Sequence, residues 1–308
     1  MIVLARNRPD DSTQVYFGNC WMTIIPMGSF LACATRLFLL DCRNHDYCPR
    51  LTIDRSCDDA AMNSEFTIKD WSAFAPGLAR KDEWVAWARD PFLPHGEATP
   101  ALEEMPPLLR RRVGKLGRMA LQVAWWCRQG HDDDVPLVFA SRHGDLGRTY
   151  EMLGSLAQDQ PLSPTQFGLS THNAIAAQYS IARHLTGNCI CVSAGPASAE
   201  AAVVEAIGLL AEGVDEVLVV VYDGALPGGY SAYGDEPGAE YAWAVRLGRP
   251  GAGDVRHDLQ VDGDQACVDE HAVALLPHGL EVLRFLITGK PLLEYRENGR
   301  CWRWRQHA

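Results

Sequence analysis

Three short apolar runs, Leu137–Ser141, Cys189–Ala194 and Val217–Tyr222, constrain this chain more than any other feature. Each has strand length and none alternates apolar with polar residues, the pattern of strands buried on both faces of a parallel sheet. The second and third flank Ala197–Ala211, where only Ser198, Glu200, Glu205 and Gly208 interrupt Ala, Val, Ile and Leu. A surface helix carries one apolar stripe, so this segment predicts a helix covered on most sides. The turn Ser193-Ala194-Gly195-Pro196-Ala197-Ser198 then delivers a buried strand into a buried helix. Several layered α/β enzymes hold a nucleophile at such a turn. Here the turn offers Gly195 and Pro196.

A chain of 308 residues has room for one large domain or two small ones. Its net charge of −11 and pI near 5.3 argue against nucleic acid and anionic membrane surfaces as partners. Five of the 10 cysteines fall before residue 60 and no CxxC pair occurs, which excludes zinc-ribbon and thioredoxin-like sites on spacing. Cys189 and Cys191 are expected as packed core thiols on opposite faces of their strand, in a reducing cytoplasm. The longest apolar stretch, Trp21 to Leu40, contains Pro26 and Arg36 and fits neither a signal peptide nor a membrane span. Residues 1–61 are expected to be a poorly structured or mis-started extension, with Met62 as an internal start and 62–308 as one organised domain.

Beyond Met62 the patterning is regular. Phe66–Trp71 reads as a strand, and Trp84 and Trp87 mark a small amphipathic helix. Leu109, Val113, Leu116, Ala120, Val123 and Cys127 recur at spacings of four and three, a helical stripe. Arg111, Lys115 and Arg118 line the opposite face, which is either solvated or a dock for an acidic partner. His131-Asp132-Asp133-Asp134 lacks spaced ligands elsewhere, so it reads as an acidic turn and not as a metal site. His143 follows a strand and is expected as a turn residue. A second helix runs from about His172 to Leu185, capped by Ser170 or Thr171. Glu240–Leu247 alternates as a half-exposed strand, Leu280–Thr288 is a short helix, and Cys301–Arg305 is expected as an edge strand packing two Trp on the core.

Several of these segments together resemble a known family. Ser163-Pro164-Thr165-Gln166-Phe167, His172-Asn173-Ala174, Tyr179-Ser180-Ile181 and Gly187 precede the strand, elbow and buried helix, and Glu212-Gly213-Val214-Asp215-Glu216-Val217 follows. In this order they resemble the N-terminal half of a β-ketoacyl synthase. More narrowly they resemble the short synthase-like proteins, called chain length factors, of bacterial aryl polyene and pigment clusters. Trp71–Gly77, the Leu108–Ala124 helix and Trp302-Arg303-Trp304 belong to the same likeness, which spans about residues 64–306. The resemblance implies a thiolase-like half-fold: α/β, layered, with a mainly parallel sheet and a central buried helix.

The departure from active synthases is chemical. Those enzymes carry a Cys at the elbow, where the helix N-terminus stabilises its thiolate. Alignment by the resemblance puts Gly195 or Pro196 there. Cys191 lies a few residues early and Ser198 a few late, and no His-Gly-Thr-Gly-like segment accompanies them. His257, His271 and His278 are isolated loop candidates. The leading expectation is a non-catalytic partner in fatty-acid or polyketide-type chain assembly, paired with a complete synthase or with itself, with neither cofactor nor metal. Pairing is expected through the strand bearing Asn188, Ile190 and Val192, since an uncharged open edge invites another strand. Two alternatives stay open: an acyltransferase or condensing enzyme using Cys191 or Ser198, and a scaffold that docks acyl carrier protein on Arg111, Lys115 and Arg118.

Overall fold

The computed structural model describes residues 65–128, 130, 134–263, 275–297 and 299–307, and the backbone of three short strands before them. Those strands, β1 (Leu4–Asn7), β2 (Thr13–Phe17) and β3 (Cys20–Ile24), form an antiparallel sheet within a first unit, Met1–Asp58. The rest of the apolar stretch to Leu40, and most of residues 1–61, lie outside the described residues.

The second unit is built on one eight-stranded sheet. In chain order its elements are β4 (Glu65–Phe74), α1 (Lys81–Arg89), α2 (Pro107–Arg110), α3 (Lys115–Cys127), β5 (Leu137–Ala140), α4 (Leu146–Ala157), α5 (Pro164–Leu169), α6 (Ala174–Arg183) and β6 (Cys189–Val192). There follow α7 (Ser198–Ala211), β7 (Glu216–Asp223), β8 (Tyr241–Gly248), β9 (Arg256–Gly263), α8 (His278–Thr288), β10 (Leu292–Glu297) and β11 (Arg300–His307). The sheet order is β10-β11-β9-β4-β8-β7-β5-β6.

The layered α/β fold is as expected, but its parallel character is narrower. Only β5 pairs in parallel, with β6 and with β7, and the other pairings of this sheet are antiparallel. The three apolar runs are therefore the parallel core, as their sequence required. They are not equally buried. β5 and the centre of β7 are closed on both faces, whereas β6 is the edge of the sheet, with Cys189 exposed and Ile190, Cys191 and Val192 half-buried.

Helices cover both faces. One face packs α3 and α6, through Ala120, Val123, Ile175 and Tyr179, against Phe139, Leu218, Val220, Ala242 and Ala244. The other packs α7, with Ala202, Val203 and Ala206, against Val138, Val219 and Val221. α7 is buried on most sides as its composition predicts; α8 packs against it, and Trp84 and Trp87 of α1 join Leu280, Leu283 and Phe285 of α8 in the same core. A core of this size is the main stabilising term, at about 25 cal/mol for each Å² of apolar surface removed from water.

Several local expectations change. β8 is buried along its whole length and not half-exposed, because small Ala242 and Ala244 fit under α3 while Tyr241, Trp243, Val245 and Leu247 fill the opposite face. β11 lies inside the sheet, between β10 and β9, so the edge is β10; Trp302 and Trp304 are nonetheless buried. The helical stripe from Leu109 becomes two elements, α2 and α3, and α6 starts at Ala174 without a side-chain cap from Ser170 or Thr171. Cys189 and Cys191 share one face, since side chains two apart on a strand point the same way. Cys191 packs on the α3/α6 side, whereas Ile190 and Val192 pack on the α7 side. Cys301 is disulfide-bonded, so the expectation of reduced thiols fails at that residue.

Candidate functional site

The strand-to-helix elbow forms where β6 ends at Val192 and α7 begins at Ser198. Gly195 takes φ +59°, the left-handed region that only glycine enters freely, and this reverses the chain in few residues. A side chain at Gly195 would meet nothing within 4 Å, so backbone conformation and not crowding accounts for the glycine. Ser198 locks the turn from within. Its Oγ donates to Gly195 O at 2.6 Å and accepts from Ala194 N–H at 3.0 Å.

Neither fallback nucleophile is arranged for attack. Ser198 is 3% exposed and its hydroxyl is engaged on both sides within the turn. Cys191 lies within β6, and the Cys189 sulfur together with burial pushes its thiol up, away from ionisation. The hollow at the elbow, lined by Arg142, Gly195, Pro196, Ser198, Asp223 and Tyr241 among others, measures only about 10 Å³. That is room for roughly one water.

Larger space opens alongside. Arg142, His143, Asp223, Ser231, Glu236 and Tyr241 line a cleft of about 210 Å³ at the C-terminal ends of β5 and β7. His143 also borders a second cleft of about 680 Å³, whose walls include Lys115, Leu116, Arg148, Met152, Leu162 and Gln166. Asp223 organises the junction. Its carboxyl accepts from Ser141 Oγ at 2.9 Å and from the backbone N–H groups of Arg142 and His143. Burial pushes it up to about 6, and those three donors hold it from going further. Arg142 pairs with Asp235 at 2.6 Å and Glu236 at 3.3 Å. His143 is exposed in the turn after β5, as expected of a turn residue, and burial and the neighbouring Arg142 lower its basicity.

A second polar cluster is sealed in the core. Glu200, on the first turn of α7, is fully buried; its Oε1 meets His278 Nε2 at 2.6 Å and accepts from Trp304 Nε1 at 3.0 Å. The Tyr295 ring stacks on His278 with centroids 3.5 Å apart. His278 thus opens α8 and His257 belongs to β9, buried against Phe66; neither is an isolated loop residue. His271 lies outside the described residues. Glu200 is one of two acids in an otherwise apolar helix, with Glu205, and Asp223 ends the run from Val217. An acid adjoining a buried run was the signal for both.

The basic set is dispersed. Lys115 bonds Glu240 at 2.5 Å and approaches Glu97 at 3.5 Å; burial opposes its charge but these carboxylates outweigh that and raise its affinity for the proton. Arg118 donates back to the carbonyls of Val113 and Arg110. Arg111 and Arg112 remain exposed. His131, Asp132 and Asp133 lie outside the described residues, while Asp134 accepts from Thr186 N–H and Oγ1 at 2.9 Å. Among the described residues no group of three or more His, Cys, Asp or Glu could hold a metal ion, and no helix is long and apolar enough to cross a membrane.

β6 is the open edge of the sheet. Leu137 N–H donates to Asn188 O and Ser141 N–H to Val192 O, so Asn188, Ile190 and Val192 turn their backbone groups towards β5. In a strand with one neighbour the alternate residues face outward. Those residues are Cys189 and Cys191. Apolar side chains are also exposed on α6, which packs on β6, at Ile181, and on α4 and α5, at Tyr150, Leu153, Leu156 and Phe167.

A layered thiolase-like sheet with an elbow leading into a buried helix defines a condensing-enzyme fold. The family model for the β-ketoacyl synthase N-terminal domain matches residues 84–305, and the chain belongs to that family. A solved structure described as the ketosynthase ApeO in complex with its chain length factor ApeC, from Xenorhabdus doucetiae, is similar at 29% identity and a TM-score of 0.65. The match covers 78% of this chain and 98% of the matched one. The ishigamide ketosynthase/chain length factor shares the fold at 16% identity and a TM-score of 0.52, covering 65% of this chain and 68% of that one. No curated protein matches.

Proposed function

We propose that this protein is a non-catalytic, chain-length-factor-like partner of a complete ketosynthase in polyketide-type chain assembly, of the aryl polyene kind, in the cytoplasm. The observation that carries the reading is the elbow: Gly195 in place of a nucleophile, above a hollow of about 10 Å³. An acyl thioester needs a thiolate to receive it and space to lie in. Support for a partner comes from the open β6 edge and from the apolar side chains left exposed on α4, α5 and α6, since exposed apolar surface marks interaction sites. The cleft of about 680 Å³ beneath α4 and α5 gives such a partner a wall of fixed shape against a growing chain. The test is co-purification with a co-expressed complete ketosynthase, followed by intact mass after incubation with an acyl-carrier thioester. Co-elution with acylation of the ketosynthase alone is expected. An acyl adduct on this chain that disappears in Cys191→Ala or Ser198→Ala would overturn the non-catalytic reading.

A further inference from the structure

We propose that the cleft at the C-terminal ends of β5 and β7 is a binding site for a short aliphatic primary amine, which enters as its ammonium ion and is held by Asp223, Glu236 and the Tyr241 hydroxyl. This site goes beyond the partner reading above and does not rest on it.

Tyr241 and Asp223 stand directly opposite each other across the β8–β7 pair, so their side chains leave the same face of the sheet. Both line the cleft of about 210 Å³ and also the hollow at the elbow. Tyr241 is 3% exposed, and its hydroxyl fills the space that a side chain at Gly279 would occupy. Among the described residues that hydroxyl has no hydrogen-bond partner. Buried hydroxyl groups are nearly always paired, with protein or with something bound. The position agrees, because ligands of open α/β sheets settle at the carboxyl ends of the parallel strands.

Charge and shape select the ligand. Asp223, Asp235 and Glu236 line the cleft, with Arg142 as the one guanidinium among its described lining residues. Arg142 is held by Asp235 at 2.6 Å and by Glu236 at 3.3 Å. The excess is negative, which favours a cation over an anion. Asp223 also has acceptor capacity to spare: Oδ1 takes three donors, whereas Oδ2 takes only a share of the Arg142 N–H at 3.1 Å. An ammonium group brings three donors and no acceptor, which matches Asp223 Oδ2, Glu236 and the Tyr241 oxygen. Leu226, Pro237, Ala239 and Pro277 give a short alkyl chain an apolar wall.

Asp223 must be ionised to hold the cation. Burial pushes its value up to about 6, so binding weakens as pH falls through that value. Arg142 and His143 face it from the turn after β5, Tyr241 from β8, and Asp235 and Glu236 from the loop before β8. Glu200 of α7 acts on Tyr241 from behind, and His278 of α8 donates its backbone N–H to Glu236 at 3.4 Å.

The experiment titrates the full chain calorimetrically with n-butylamine, which stays protonated at both pH 8 and pH 5, and with n-butanol and butyrate as controls. Only the amine is expected to bind, about tenfold more weakly at pH 5 than at pH 8. Asp223→Asn should weaken binding at pH 8 and abolish the difference between the two pH values. Tyr241→Phe should bind about tenfold more weakly, as expected for loss of a hydrogen bond to a charged group. Its urea midpoint should equal or exceed that of the parent, because the deleted hydroxyl has no partner in the fold. Absence of amine binding, or butanol or butyrate bound as tightly as the amine, overturns the proposal. So does Tyr241→Phe that binds like the parent or unfolds at lower urea, the latter because it would show the hydroxyl already paired within the protein.

Discussion

Glu200 Oε1 and His278 Nε2 stand 2.6 Å apart with their side chains 0% and 4% exposed, and Trp304 Nε1 donates to the same oxygen. One carboxyl oxygen thus joins three elements distant in sequence: the elbow helix α7, the start of α8 and the inner strand β11. Leaving a buried donor without its acceptor costs about 1–3 kcal/mol, and here two donors share one. Glu200→Ala should destabilise the fold by about 3 kcal/mol or more. Glu200→Gln, which keeps an acceptor in place, should lose less than half of that. Urea midpoints of both variants check this, and equal losses would show that burial and not the shared oxygen matters.

Gly195 offers a cleaner separation of strain from space. A Cβ there meets no neighbour within 4 Å, but φ +59° disfavours any L side chain. Gly195→Ala should cost about 1–2 kcal/mol in unfolding free energy, with no change in the circular dichroism of the folded protein. Gly195→Cys should cost a similar amount and place a thiol at the N-terminus of α7. A loss above about 4 kcal/mol for alanine would mean that the turn is crowded and not merely left-handed.

Asp223 sets a pH dependence whose sign can be worked out. Burial raises its folded value to about 6, above the ordinary carboxyl value of about 3.9 in an unfolded chain. The folded state therefore holds the proton more tightly. This group's contribution favours folding at low pH and is withdrawn as pH rises through about 6. Arg142, Glu236, His143 and Tyr241 surround it, and Asp223→Asn removes its titration while leaving them in place. Between pH 4 and 7 the parent should lose stability relative to Asp223→Asn, by an amount on the order of 2–3 kcal/mol for a shift of about two units. Parallel stability curves for the two proteins would rule this out.

How far the sequence carried this fold depended on how each element is buried. β5, β7 and α7 were legible because burial on all sides demands an unbroken apolar run. β9 and β10 were not, because their neighbours accept charge: Arg303 of β11 bonds Asp262 on one side and Glu294 on the other, so neither strand carries an apolar run. α4 and α5 bury no residue, which removes the signal by which a helix is recognised. At the site, Gly195 could be placed by counting along the chain. The clusters on Asp223 and Glu200 could not, because their donors come from residues 78 or more positions away, such as Ser141, His278 and Trp304.

The domain boundary has its own test. The first unit ends at Asp58 and β4 begins at Glu65, so a chain starting at Met62 keeps every element of the eight-stranded sheet. It should unfold cooperatively at the urea midpoint of the full chain. A midpoint lowered by more than about 1 M would make residues 1–61 part of the folding unit, since a small domain loses about 1–3 kcal/mol of stability for each molar of urea.

The β6 edge is where the proposed pairing is tested. Ile190 turns its side chain to the α7 face, half-buried, while Cys189 and Cys191 present their backbone groups outward. A strand added at this edge would bring its own side chains beside Ile190, closing the position from water. Ile190→Lys then puts an ammonium group into a closing seam, and a desolvated, unpaired charge costs on the order of 2–4 kcal/mol or more. That corresponds to a loss of roughly thirty- to a thousandfold in affinity for the partner strand. The isolated chain should fare better, because lysine can reach water past its own methylene stem while the edge is open. Light scattering of the chain alone and with the ketosynthase checks both halves. The parent should form a mixed dimer that Ile190→Lys does not, with the two chains unfolding at similar urea concentrations. A strictly monomeric parent that ignores the ketosynthase, or a variant that pairs as tightly as the parent, would place the interface elsewhere on the molecule.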